Sequence, residues 1–148
     1  MSPAIGPSLL DRLYGQEGYV VKRVRDGLKR DLEDLLNTPQ RVIGWGDELG
    51  ELDASLLNYG IVDLSTSNLS TEQMRAAVVE QIGETIRRLE PRLADMKISA
   101  IPNADPADRS LRMRIEVHIM VESEAEPVFF NTIIDPISNL VSLTNAGA

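Results

Sequence analysis

Leu111, Met113, Ile115, Val117, Ile119 and Val121 hold every second position of one stretch, against Arg112, Arg114, Glu116, His118 and Glu122 on the other side. A period of two predicts a strand with one buried and one wet face. A shorter alternation precedes it, with Met96, Ile98 and Ala100 set against Lys97 and Ser99. Pro102 to Arg109 reads as a polar turn and Glu124-Ala125-Glu126-Pro127 as another. Val128 to Ile134 then reads as a third strand, ended by Asp135-Pro136. The last dozen residues read as a short strand or an ordered arm fading into a tail.

Upstream the period is 3.6. Val21, Val24, Leu28, Leu32 and Leu35 recur at spacings of three and four, one face of a helix of about 18 residues. Lys22, Arg23, Arg25, Lys29 and Arg30 make the first half of its other face basic. Asn37-Thr38-Pro39 should end it, with Asn37 in a left-handed cap and the proline blocking continuation. A second stripe, Met74, Ala77, Val78, Ile82, Ile86 and Leu89, follows Ser70-Thr71-Glu72-Gln73. That tetrapeptide predicts a capping box with Ser70 as the cap. Gly83 lies inside this helix and costs it about 1 kcal/mol relative to alanine.

Pro91 disfavours helical geometry at the residue before it, so the second helix should stop near Glu90. Glu90 and Arg92 then share the corner between helix and strand, and point to one side if the chain there is extended. Such a pair is either an internal clasp or a docking site. Between the two helices the chain is irregular. Trp45 lies between Gly44 and Gly46 as a core plug, and Glu51 to Asn58 is a candidate short helix closed by Asn58-Tyr59-Gly60.

The expected fold is therefore α+β: an antiparallel meander of three to four strands, covered on one face by two main helices, with short extra helices. The 148 residues suit one domain over 1–148, with an N-terminal arm over 1–18 and a C-terminal arm or tail over 135–148.

The formal net charge of -8 argues against a nucleic-acid duplex or an anionic membrane as main partner. The chain has no cysteine, which excludes disulfides and thiolate metal sites. The first residues show no secretory pattern, and no stretch approaches the roughly 20 apolar residues of a membrane span. A cytoplasmic protein without cofactor or metal is expected.

No glycine-rich phosphate loop, HExxH or GxSxG is present, and His118 is the only histidine. Asp47, Glu48, Glu51 and Asp53 lack calcium-loop spacing and read as solvated charge. A two-carboxylate glycosidase would need an acid of raised pKa, and an arginine beside Glu90 works against that.

Several segments, in order, resemble the TssE-type baseplate subunits of type VI secretion, within the family of phage baseplate wedge proteins once labelled lysozyme-like. They are Ser8-Leu9-Leu10-Asp11-Arg12-Leu13, the run from Arg30-Asp31-Leu32 to Leu36-Asn37-Thr38, and Leu57-Asn58-Tyr59-Gly60-Ile61-Val62-Asp63-Leu64. Glu90-Pro91-Arg92-Leu93 and the strands through Pro127-Val128-Phe129-Phe130-Asn131-Thr132 complete the set. The chain departs from the pattern at Pro39, where an arginine is usual, with Arg41 two places on. It departs again at the Gly44-Trp45-Gly46 insert.

The resemblance implies a structural, non-enzymatic role at the cytoplasmic side of the inner membrane. It implies wedge partners TssF and TssG, with TssK beside them, and a surface on which the sheath proteins TssB and TssC start. On this resemblance Glu90, Arg92, Arg30, Phe130, Asn131 and Thr132 are the candidate partner-binding residues. The sheath strand would pair near Val128 to Ile134 or with the segment after it. The alternatives are a peptidoglycan-cleaving glycosidase, a phage-tail wedge subunit, and a small regulatory binding module on the same fold.

Overall fold

The computed structural model describes residues 20–40, 47–54, 59–61, 63–93, 95–121 and 124–146. The candidate arm at Ser8 to Leu13, the Gly44-Trp45-Gly46 loop and the end of the candidate helix at Glu51 to Asn58 lie outside them.

Four strands form one antiparallel sheet in the order β1-β2-β3-β4. They are β1 (Lys97–Ala100), β2 (Leu111–Val121), β3 (Glu124–Ile134) and β4 (Val141–Ala146). Two helices, α1 (Val20–Leu36) and α2 (Glu72–Leu89), pack on the face that the alternation marks as apolar. The fold is α+β. Leu111, Met113, Ile115, Val117 and Ile119 of β2 are buried with Val24, Leu28, Leu32 and Leu35 of α1 and Val79, Ile82 and Ile86 of α2. The chain between the helices carries short 3-10 turns, Asp47–Ala54 and Leu64–Thr66.

The structure corrects several boundaries. β3 begins at Glu124, so the expected turn at Glu124 to Pro127 is strand, with His118 opposite Pro127. β4 pairs with β3 only from Phe129 to Ile134, so Pro127 lies beyond its reach and owes that side no amide donor. The segment read as a strand or fading arm is β4, and it flanks Phe129 to Ile134. Val128 to Ile134 is therefore not the free edge of the sheet.

Asn37 does not take the left-handed cap; among the described residues Asn139 is the one non-glycine with positive φ. Instead Asn37 Oδ1 accepts from the Val141 amide at 3.0 Å, and its Nδ2 donates to the Glu33 carbonyl at 2.9 Å. It ties α1 to the start of β4. The cap of α2 is Thr71, whose hydroxyl accepts from the Met74 amide at 3.2 Å, one residue later than Ser70. The buried stripe of α2 also differs from the expected one: Val79, Ile82, Gly83 and Ile86 are buried, while Met74 and Ala77 are exposed.

Gly83 is where α2 meets β1. A Cβ there would lie 2.7 Å from Cγ2 of Ile98. Alanine would gain about 1 kcal/mol of helix propensity but overpack by roughly 1–3 kcal/mol. Gly83→Ala is expected to lower stability by about 1 kcal/mol. In an Ile98→Ala background it should be neutral or stabilising, which thermal melts of the four chains would show.

Candidate partner-binding site

The helix-strand corner is built by proline. Glu90 caps α2, its amide donating to the Ile86 carbonyl at 2.8 Å. Pro91 then opens a 3-10 turn, Pro91–Leu93, closed by Leu93 N–H to the Glu90 carbonyl at 2.9 Å. The corner is thus coiled rather than extended. Leu93 drops into the core and anchors it.

Glu90 and Arg92 nevertheless meet. Arg92 Nε donates to Glu90 Oε1 at 2.7 Å and Nη2 to Oε2 at 2.9 Å, a two-pronged pair. The same Nη2 donates to Asp31 Oδ2 at 2.6 Å, on α1, 61 residues away in the chain. Asp31 Oδ1 also accepts from Arg30 Nη2 at 3.3 Å. Glu90, Arg92, Asp31 and Arg30 are one chain of charges. The side chains of Arg92, Asp31 and Glu90 are 27%, 25% and 23% exposed, so the network is half-shielded from water. The hydrogen bonds that Arg92 donates to Glu90 hold its guanidinium still more firmly protonated; burial opposes this, and the bond to Asp31 adds to it.

Tyr59 completes the corner. Burial, then the charges of Asp34, Asp31 and Glu90, raise its phenol above the usual value, so it stays a neutral donor. With Asp31, Asp34 and Glu90 it edges a cavity of about 140 Å³ floored by Leu28 and Leu35. Tyr59 is placed by Gly60, whose backbone lies against Thr38 and Gln40. A short parallel bridge, Pro39 to Ile61, fixes this contact.

The arrangement suits charge pairing rather than proton transfer. Both Glu90 oxygens accept from Arg92, the opposite of the apolar setting that keeps a glycosidase acid protonated. His118 is on the wet face, 3.5 Å from Glu116. Among the described residues no group of His, Asp and Glu is placed to hold a metal ion. Nor is any helix among them long and apolar enough to cross a membrane.

Of the candidate residues, Glu90, Arg92 and Arg30 come together here. Phe130, Asn131 and Thr132 lie apart on β3. Phe130 and Thr132 point into the core and are fully enclosed. Asn131 is on the wet face, where its Oδ1 accepts from Arg114 Nε at 3.2 Å. Asp31 and Tyr59 were not singled out by sequence reasoning. Their signal was present, since both stand inside segments that resemble the wedge family, but nothing local shows that those segments meet.

No curated protein and no solved structure matches the chain. The family model for the baseplate wedge protein gp25 matches residues 22–126, a span that takes in nearly all of α1, Tyr59, the whole charged corner, β1 and β2 and stops at the start of β3. With more than two thirds of its length covered by that match, the chain belongs to the baseplate wedge protein family.

Proposed function

We propose that this wedge-family chain is a non-catalytic subunit of a type VI baseplate at the cytoplasmic side of the inner membrane. Its charged corner seats it against TssF and TssG, with TssK beside them. Its β4 edge starts the sheath by accepting a strand from TssB or TssC.

The observation that carries this reading is the contrast between the two sheet edges. Exposed edges are normally blunted by charge, proline or shortness. β1, at one edge, has four residues and begins with Lys97. Beyond the reach of β4, the open flank of β3 carries Glu126 and Pro127. β4 itself reads Val141-Ser142-Leu143-Thr144-Asn145-Ala146, six residues with no charge and no proline. Asn37 takes the Val141 amide, and a neutral outer edge such as the rest of β4 presents is what strand addition uses.

Proline at Asn131 would not test this edge, because Asn131 pairs on both sides, with Arg114 and Thr144. Thr144 and Asn145 are the better positions. Successive amides along a strand point to opposite sides, so one substitution removes an outward donor and the other a donor to β3. Thr144→Pro and Asn145→Pro are expected to split. The variant that loses only the outward donor should keep its circular dichroism spectrum and fail to nucleate TssB–TssC sheaths. If both folded variants start sheaths at the native rate, β4 is not the template.

A further inference from the structure

Five large apolar side chains among the described residues are exposed, and three of them lie within eight positions at one end of the sheet: Ile133 at 41%, Ile137 at 91% and Leu140 at 68%. Ile133 is on the wet face of β3 opposite Ser142, and Leu140 immediately precedes β4. They are diagonal neighbours, with Ile137 at the tip of the turn between them. Apolar side chains clustered in this way commonly mark a contact surface.

The turn is not a loose loop that happens to carry isoleucine. Asp135 Oδ1 accepts from the Ile137 amide at 2.9 Å and Oδ2 from the Ser138 hydroxyl at 3.0 Å. The Asp135 amide donates to the Leu140 carbonyl at 3.2 Å, and Asn139 takes φ 53°. Asn139 Nδ2 then donates to Asp63 Oδ1 at 3.0 Å, tying the tip to the chain before α2. This bonding pre-organises two aliphatic side chains in solvent, which folding of the domain does not require. An open groove of about 600 Å³ runs beside them, walled by Ser65–Ser70, Arg109 and Pro136.

Charge indicates what this surface faces. Asp63, Asp108 and Asp135 surround the turn, against Arg109 and Arg112. Arg112 is engaged by Asp108 at 3.0 Å. Asp63 and Asp135 then stand against Arg109 on a chain of net charge -8. Hydrogen bonds from backbone amides hold both carboxyls below their usual range, so they stay ionised near neutrality.

We propose that the β3–β4 turn is a docking knob for a protein segment that presents an apolar side chain between basic ones. In the assembled machine that segment belongs to a neighbouring subunit, which rests on the baseplate reading above; the recognition chemistry does not.

The probe is a helical peptide of leucine and lysine, titrated into the full isotope-labelled chain beside its leucine–glutamate counterpart. The lysine peptide is expected to shift the amide resonances of Asp135 to Leu140 and of Ser65 to Ser70. Binding should weaken steeply as salt rises. Ile137→Ser with Leu140→Ser should melt like the native chain and bind at least about thirtyfold more weakly, the loss expected for central apolar anchors. Absent binding, equal affinity for both peptides, resonance shifts confined to other surfaces, or indifference to the double variant would each overturn the knob. A photo-crosslinking side chain at position 137 in cells then tests its place in the machine. A cross-link to a baseplate or sheath peptide with basic residues around an apolar one supports it. An assembled baseplate that contains the chain but yields no such cross-link overturns it. A chain recovered without any baseplate removes the machine reading, and the peptide titration still decides the chemistry.

Discussion

Gly60→Ala is expected to lower the melting temperature by about 10 °C. Gly60 has φ +122°, a region in which side-chain-bearing residues are strained. A Cβ there would lie 2.5 Å from the Thr38 carbonyl oxygen and 2.9 Å from both the Gln40 nitrogen and the Pro39 carbonyl carbon. All three are backbone atoms, and they cannot retreat freely. Gln40 N–H donates to the Ile61 carbonyl at 2.8 Å, and Ile61 N–H donates to the Thr38 carbonyl at 3.0 Å. Relief of the clash breaks this bridge; acceptance of it strains the chain. Conformational strain of roughly 1–3 kcal/mol and overpacking of similar size give a loss on the order of 3 kcal/mol. At about 3 °C per kcal/mol for a domain of this size, that is the expected drop. Gly50 is the control: a Cβ there meets nothing within 4 Å, and Gly50→Ala should melt within about 2 °C of the native chain. Because Tyr59 is next to Gly60, the substitution should also disturb the charged corner. Equal melting of the two alanine variants would refute the argument.

What was legible in the chain follows from how local each signal is. β2 announced itself because one of its faces is buried from Leu111 to Ile119, so burial is written into every second residue. The stop of α2 at Pro91 is likewise local chemistry. The start of β3 was hidden by Pro127, which reads as a breaker unless one knows that β4 never reaches it. β4 itself is short and weakly patterned, and its placement depends on Asn37 of α1, more than a hundred residues earlier. Ser70 and Thr71 are chemically equivalent caps, and only the backbone geometry selects Thr71. The stripe of α2 takes in Val79 and Gly83, where the helix meets Ile98, a contact between elements that the sequence pattern does not carry. At the corner, Pro91 marked Glu90 and Arg92 locally, and family resemblance added Arg30. The sequence could not mark Asp31 as their link, because an ion pair across 61 residues leaves no local trace. The knob at Ile137 and Leu140 was missed for the same reason: exposure is a property of the fold.

Arg92→Ala is expected to be the most damaging single change at the corner, with a loss of about 2 kcal/mol and about 6 °C in melting temperature. Its guanidinium holds two carboxylates, Glu90 at 2.7 and 2.9 Å and Asp31 at 2.6 Å. Without it, both face each other beside Asp34 and the raised phenol of Tyr59, with Arg30 on Asp31 as the remaining pair. Breaking a fully buried pair costs roughly 3–5 kcal/mol, and the partial exposure of this one reduces that figure. Glu90→Ala is milder, about 1 kcal/mol, because Arg92 keeps Asp31. Asp31→Ala should match it, because Arg92 keeps Glu90. This ranking is the signature of a shared cation and differs from that of three independent surface charges, each worth little. The clasp and a docking role are not exclusive, since a rigid charged corner is also a pre-organised one. They separate when melting and binding are measured on the same variants, at a temperature where every variant is folded. If the corner also seats the chain in the wedge, Glu90→Ala should weaken TssF–TssG binding at least about tenfold, more than its small stability loss accounts for. A full melting loss in Arg92→Ala with wedge affinity unchanged in both variants would make the corner a clasp alone. The contacts of this subunit would then have to be sought at the β4 edge and the β3–β4 turn.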